Sequence, residues 1–235
     1  EFPAATRIIV NLAPAEIPKQ GARFDLAIAV GILAASDQID ADQLAKFEFY
    51  GELALAGNTQ AVSGLIPALI AAKRAERTVF VPSTNVAEAG YAAQQNHFLV
   101  PDLAALFEHL QGHNQLNAAE SDKPYLSQEN DVGDLADIIG QTQAKRALLI
   151  AAAGRHHLLF VGPPGTGKTM LAQRFLTILP TPTHSEGMQI ACIKSLVETH
   201  LAPQQLTQRN LRMPHHTCSA AALVGGGSVN SHNRF

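Results

Sequence analysis

Hydrophobic and polar positions follow two periods in the first 111 residues of the chain. Short runs rich in β-branched and aromatic residues have the pattern of strands, and longer apolar runs between them have the pattern of helices. The pattern predicts strands at Arg7–Leu12, Phe47–Ala56, Thr78–Pro82 and His97–Val100, and helices at Phe24–Ala35, Leu65–Ala75, Val86–Gln94 and Pro101–Leu110. Because strands and helices alternate, we predict an α/β domain.

The second half of the chain shows a similar but shorter pattern. A helix is predicted at Leu135–Gly154, a short strand at His157–Val161 and another helix at Lys168–Leu179, which Pro180 ends. From Thr183 onward the pattern weakens. Between the halves, residues 112–133 are polar and show no sustained period, which is typical of a linker.

The length of 235 residues suits two modest domains, which we place at 1–111 and 134–235. The longest clear apolar run, Leu26–Ala35, is shorter than the roughly 18 to 20 residues of a membrane span, so no membrane association is expected. The chain opens without a signal peptide or an initiator Met, which predicts a cytoplasmic protein and a start inside a longer one. Cys192 and Cys218 are expected to be free thiols.

A glycine-rich loop carries the clearest chemistry in the sequence. It follows the predicted strand at His157–Val161, precedes a predicted helix and satisfies the pattern G-x-x-x-x-G-K-[ST] of a P-loop. Its residues are Gly162, Pro163, Pro164, Gly165, Thr166, Gly167, Lys168 and Thr169.

Each residue type in the loop has a physical task. Glycines let successive backbone N–H groups turn toward phosphate oxygens, and the helix N-terminus adds a partial positive charge. Lys168 supplies a full charge at the β- and γ-phosphates, where phosphoryl transfer takes place, and Thr169 is placed to ligate Mg²⁺. We therefore predict that ATP with Mg²⁺ binds here, with Lys168 as the catalytic candidate.

A second segment strengthens this prediction. Residues Ile138, Ile139, Gly140 and Gln141 form a turn at a suitable distance upstream of the P-loop, where the core of the predicted helix, Gln141–Ala153, begins. Alone, these residues predict only the capped start of a helix. In front of a P-loop they resemble the segment that opens many AAA+ modules, where this turn packs near the adenine.

Acidic residues are scarce after Thr169. No aspartate follows it, and the two glutamates are Glu186, expected in a polar turn, and Glu198, expected in a helix-like stretch. P-loop ATPases hold the magnesium with an acidic residue that ends an apolar strand. This chain is therefore expected to bind nucleotide far better than it hydrolyses it.

Charge is distributed unevenly between the halves. Residues 1–111 carry 7 Lys and Arg against 12 Asp and Glu, whereas residues 140–235 carry 9 against 2. A basic half predicts a polyanionic partner such as DNA. The alternative is that the acidic part of the same domain lies beyond the sequence given.

Four segments together resemble the ComM/YifB family of bacterial magnesium-chelatase-like AAA+ proteins. They are Pro18–Leu26, Gly51–Gly57, the P-loop and Pro214–Gly227. The resemblance implies a Lon-protease-like (ribosomal protein S5-type) α/β domain followed by the start of a P-loop AAA+ α/β domain. It also implies a homo-hexameric motor that acts on branched or single-stranded DNA and promotes branch migration during recombination of incoming DNA.

The sequence departs from the family pattern after the triple glycine. The family continues to a strand ending in Asp-Glu, whereas here Val229–Phe235 follows, which a truncation or a frameshift would explain. The Walker B, sensor and arginine-finger roles are therefore assigned to no residue. Phe24 and Ile66 stand where Lon has its serine and lysine, so the alternative of a Lon-like protease is disfavoured.

Two further alternatives remain at this point. The protein could be a magnesium-chelatase-type motor subunit, although the chelatase motor is not known to carry a Lon-like domain. The pair His215-His216 invites a metal site, but adjacent histidines diverge and no third ligand is evident, so a structural or DNA-proximal role is favoured. Arg209 and Arg212 could meet phosphates or remain solvated.

Overall fold

The structure is a computed structural model that describes residues 7–12, 21–92, 96–120, 133–199, 201, 209, 211–215 and 217–221. Its helices are α1 (Asp25–Ala35), α2 (Leu65–Arg74), α3 (Val86–Ala92), α4 (Leu103–Leu110), α5 (Thr142–Gly154), α6 (Lys168–Ile178) and α7 (His184–Ser195). Its strands are β1 (Phe47–Phe49), β2 (Glu52–Leu53), β3 (Thr59–Gln60), β4 (Thr78–Pro82) and β5 (His97–Val100). The predicted α/β class is confirmed.

A parallel sheet organises the first part of the chain. Its strand order is β1–β4–β5, and both neighbouring pairs are parallel. Parallel neighbours need crossover connections, and helices α2 and α3 lie in the two crossovers of this sheet. The strands β2 and β3 form a separate antiparallel hairpin, whose turn contains Gly57 in the left-handed region at φ 87°.

Two apolar clusters cover the two faces of the central strand β4. Successive side chains of a strand point to opposite faces. Val79 and Val81 therefore pack with one cluster, and Phe80 packs with the other. The first cluster includes Leu65, Leu69 and Ala72 of α2 and Ala89 of α3, and the second includes Leu26 and Val30 of α1 and Leu106 of α4. The sheet is thus a middle layer between two helical layers.

Part of the predicted linker lies against this sheet. The N–H of Leu99 donates to the carbonyl of Asn117 at 2.9 Å, and the N–H of Ala119 donates to the carbonyl of His97 at 2.7 Å. Residues 117–119 therefore satisfy backbone groups along the outer edge of β5. Residues 121–132 of the linker lie outside the described part of the chain.

Two predicted strands are wrong. Neither Arg7–Leu12 nor His157–Val161 is a strand, and neither pairs with another strand within the described residues. Apolar and β-branched residues favour an extended backbone, but a strand forms only where a neighbour supplies its hydrogen bonds. Leu159 and Val161 are 85% and 87% exposed, as expected for a segment without such a neighbour.

Helix α7 was missed by the sequence prediction, which placed Glu186 in a polar turn. Thr183 and Glu186 form a capping box, in which the Thr183 hydroxyl accepts from the Glu186 N–H at 3.3 Å and the Glu186 carboxylate accepts from the Thr183 N–H at 2.9 Å. The spacing T-x-x-E is the signal that could have identified this helix. Glu198, expected in a helix-like stretch, lies in the turn beyond the end of α7.

Asn85 is a buried polar side chain that joins separate segments. It is fully buried, its Oδ1 accepts from the Val62 N–H at 3.0 Å, and its Nδ2 donates to the Val62 carbonyl at 3.2 Å and to Glu88 Oε1 at 3.3 Å. Removing this amide would leave the two backbone groups of Val62 buried without their partner, which is costly.

We predict that Asn85→Ala lowers the free energy of unfolding by about 1–3 kcal/mol per unsatisfied group. Urea denaturation followed by circular dichroism would measure it. Asn114→Ala, at an exposed position after α4, is the matched control and should leave the midpoint unchanged. Equal midpoints for the two variants would show that the Asn85 bonds contribute nothing net.

Candidate nucleotide-binding site

The loop Gly162–Thr169 lies on the surface between the unpaired segment 157–161 and helix α6. Gly165 and Gly167 adopt left-handed backbone angles, with φ of 82° and 81°. A Cβ at either position would meet no heavy atom within 4 Å, so the conformation itself, and not crowding, is what favours glycine there. Gly162, Pro163, Pro164 and Thr166 are exposed.

Helix α6 begins at Lys168 without a side-chain cap. Its N-cap is Gly167, which has no side chain to accept from the amides of the first turn. Helix N-termini in proteins satisfy these amides with a cap, with water or with a ligand. An anion at this end would also meet the positive pole of the helix dipole. The loop therefore fits a phosphate group.

The ammonium of Lys168 lies inside the loop. Its Nζ donates to the carbonyl of Gly162 at 2.8 Å and to the carbonyl of Pro163 at 2.6 Å, and it is 3.4 Å from the hydroxyl of Thr166. The Thr166 hydroxyl also donates to the Pro163 carbonyl at 3.0 Å. The cation is thus held within the loop by carbonyl oxygens that a phosphate oxygen could replace as its partners.

Thr169 is exposed in the first turn of α6, directly after Lys168. A hydroxyl is a hard oxygen ligand, which is the type that Mg²⁺ prefers. Its position fits a metal ion bound together with phosphates, because Mg²⁺ usually keeps several waters and takes few protein ligands. Within the described part of the chain, no group of three His, Cys, Asp or Glu could hold a metal ion alone.

In the turn that is predicted to lie near the adenine, one isoleucine is buried and the other is exposed. Ile138 is buried in a cluster with Leu148 of α5 and Leu171 of α6, whereas Ile139 is 96% exposed. Ile139 is therefore the side chain of this pair that is open to a ligand. Gly140, with φ of 71°, turns the chain into α5.

Gln141, the last residue of the predicted Ile-Ile-Gly-Gln turn, connects this turn to the P-loop. Its Nε2 donates to the carbonyl of Thr166 at 3.4 Å. Gln141 is the N-cap of α5 and has a left-handed backbone, with φ of 52°. At the other end of α5, the C-cap Arg155 is also left-handed, with φ of 53°.

The segment that enters the loop is anchored by one side chain. Phe160 is half-buried and packs against the cluster formed by Leu135, Ile138, Leu148 and Leu171. Since Leu171 belongs to α6 and Phe160 precedes the loop, the same cluster holds both ends of the P-loop.

Glu186 does not have the geometry of a magnesium-holding acid. It lies in the first turn of α7, and its carboxylate contacts Arg155 at 3.0 Å and Arg209 at 3.3 Å. The hydrogen bond from the Thr183 backbone lowers the pKa of Glu186, and the two guanidinium groups act in the same direction. Arg209 is thereby engaged, and its Nε also donates to the Pro180 carbonyl at 3.1 Å.

The remaining candidates show no contact with residues 162–169 among the hydrogen bonds and ion pairs of the described residues. His215 Nδ1 contacts the Thr217 hydroxyl at 2.7 Å in a local turn, and Arg212 is exposed. His216 and the triple glycine fall outside the described residues. Cys192 and Cys218 are free and half-buried. Among the described helices, none has both the length and the apolar character required to cross a membrane.

Comparisons with known proteins place the chain in a family. The family described as "Magnesium chelatase, subunit ChlI" matches residues 134–233, and that described as "Subunit ChlI of Mg-chelatase" matches residues 1–85. A stretch of 46 residues, 20% of the chain and 9% of the relative, is 48% identical to a putative lon protease homolog of Thermoplasma acidophilum.

Longer relatives align over almost the whole chain. The chain is 49% identical over 229 residues to the competence protein ComM of Haemophilus influenzae, which covers 96% of the chain and 45% of the relative. It is 43% identical over 230 residues to the uncharacterized protein YifB of Escherichia coli, which covers 97% of the chain and 45% of the relative. The chain thus spans about half the length of these relatives. It belongs to the ComM/YifB family of magnesium-chelatase-like proteins.

Proposed function

We propose that the chain binds ATP together with Mg²⁺ at Gly162–Thr169. The observation that carries this proposal is the position of the Lys168 ammonium, which lies inside a loop with left-handed glycines at the uncapped N-terminus of α6. Family membership supports it, because magnesium-chelatase-like proteins use nucleotide and Mg²⁺ generally.

The residues of the site would divide the work of binding. The amides of the loop and of the first turn of α6 would donate hydrogen bonds to the phosphate oxygens, and Lys168 would neutralise the β- and γ-phosphates. The hydroxyl of Thr169 would hold Mg²⁺, which supplies charge stabilisation to the phosphates when bound. Ile139 offers an exposed apolar surface for the adenine ring, and Gln141 holds that turn against the loop.

For the whole protein we propose a cytoplasmic, homo-hexameric motor that uses ATP to drive branch migration of DNA in recombination of incoming DNA. The name of the Haemophilus relative, a competence protein, supports an action on incoming DNA. The basic balance of residues 140–235 supports a polyanionic partner. The alternative is a chelatase-type motor subunit, which the descriptions of the matching families favour.

We expect Lys168→Ala to raise the dissociation constant of a fluorescent ATP analogue at least about tenfold, since a hydrogen bond to a charged group is worth about 1.5–3 kcal/mol. Titration of the 235-residue chain would measure it. Lys73→Ala, at the exposed end of α2, is the matched control and should bind as the unaltered chain does. Equal dissociation constants for both lysine variants would rule out the P-loop assignment.

We expect little ATP turnover by this chain, because no aspartate follows Thr169 and Glu186 is held by two arginines. A phosphate-release assay with and without Mg²⁺ would test this. A Mg²⁺-dependent rate of about 1 s⁻¹ or more, the lower range for enzymes, would contradict it. That outcome would direct attention to Glu198 or to another subunit.

We expect the full-length protein to bind branched and single-stranded DNA with an affinity that falls steeply with salt, because counterions condensed on phosphates are released. Binding in the presence of ATP would be measured by fluorescence anisotropy at about 50 and 200 mM salt. Affinity that does not change over this range, or no binding, would favour the chelatase-type alternative.

A further inference from the structure

Helix α7 belongs to the half of the chain with the P-loop but packs on the other half. Ala191 of α7 and Leu201 form a buried cluster with Ile66 of α2 and Tyr91 of α3. Half-buried apolar side chains extend this contact on both sides: Ile70 of α2, and Met188 and Cys192 of α7. The contact between the halves is therefore apolar and continuous.

Polar contacts fix the end of α7 on the same surface. The N–H of Gly64, the N-cap of α2, donates to the carbonyl of Ser195, the last residue of α7. A Cβ at Gly64 would approach the Leu196 side chain at 3.3 Å, so a larger residue would crowd this contact. Nearby, Asn85 Nδ2 lies 3.5 Å from the carbonyl of Thr199.

Ion pairs connect the first turn of α7 to the end of α5 and to the residues that follow α6. Glu186 pairs with Arg155, which ends α5 and stands two residues before the segment 157–161 that enters the loop. Glu186 also pairs with Arg209, whose Nε donates to the carbonyl of Pro180 after the end of α6. The Glu186 carboxylate thus contacts Arg155, which precedes the segment that enters the P-loop. Through Arg209 it is also connected to Pro180, which follows the end of α6.

We propose that α7 couples nucleotide binding at the P-loop to the contact with α2 and α3, and that Glu186 is the positioning residue through which the coupling passes. The proposal rests on the nucleotide binding proposed above. Binding that shifts the approach segment would move Arg155, and Glu186 would transmit this movement to α7. Coupling of this kind is reciprocal, so the contact with α2 must in turn influence nucleotide affinity.

Stability and positioning can be separated at Glu186. Exposed ion pairs contribute little to folding, and Arg155 is largely exposed. A glutamine at this position keeps the capping box, since Gln serves there as Glu does. Glu186→Gln should therefore leave the chain folded and still weaken the link to Arg155 and Arg209.

The first experiment titrates a fluorescent ATP analogue into the 235-residue chain and four variants. Glu186→Gln and Ile70→Ala perturb the two ends of the coupling. Their matched controls are Glu108→Gln and Leu110→Ala. Glu108 is an exposed carboxylate of α4, and Leu110 is a half-buried leucine that packs against the cluster around Phe80. Thermal melting of each variant verifies that it is folded.

We expect Glu186→Gln and Ile70→Ala each to raise the dissociation constant about fivefold or more, the lower range of measured couplings. The two controls should bind as the unaltered chain does. Hydrogen exchange provides the reciprocal readout: nucleotide should slow exchange at the Gly64 amide in the unaltered chain and not in Glu186→Gln.

The outcomes separate the two proposals. If the unaltered chain binds the analogue and both coupling variants bind it equally well, the coupling is overturned and the nucleotide site stands. If the unaltered chain does not bind it, or Lys168→Ala binds it equally well, the nucleotide site fails and the coupling fails with it. A drop in affinity shared by the controls would also overturn the coupling, because the effect would then reflect general destabilisation.

Discussion

The burial of Leu171 beneath the first turn of α6 is the contact on which the candidate nucleotide site depends. Leu171 is 3% exposed and packs against Leu135, Ile138 and Leu148. It holds α6 in place while the amide end of the helix remains open to solvent. A helix that is anchored by its side and uncapped at its N-terminus can present its dipole to an anion without rearranging.

The surrounding elements are arranged around this anchor. Phe160 brings the approach segment into the same cluster, and Gln141 contacts the loop from the start of α5. Helix α7 packs on α2 and α3 of the three-layer α/β part of the chain. Sequence comparison places the chain in the ComM/YifB family, and the packing explains how its two matched regions contact each other through α7.

The sequence predicted well where chemistry or burial restricts the residue type. Strands β4 and β5 have the predicted bounds because their apolar residues pack in the two clusters that cover the sheet. The P-loop pattern is recognisable because it places glycine and lysine at a fixed spacing, and nucleotide binding there stays a prediction. Segment 157–161 was misread as a strand because a strand depends on neighbours that local sequence does not specify.

Contacts between residues far apart in the chain could not be predicted from the sequence alone. Glu186 was assigned to a turn, although its spacing from Thr183 is a helix signal. Its pairing with Arg155 and Arg209 joins residues 31 and 23 positions away. Gln141 likewise reaches Thr166 across 25 positions, and no local pattern marks such a partner.

The two ends of α5 show how local conformational strain can be retained in a protein. Gln141 and Arg155 both hold left-handed backbone angles that glycine would adopt freely, at a cost of about 1–3 kcal/mol each. A glycine would relieve this strain but would remove the amide that contacts the P-loop or the guanidinium that contacts Glu186. At these two positions, a side-chain contact therefore accompanies each strained backbone angle, so that a substitution there would change the backbone strain and the connections around the loop at once.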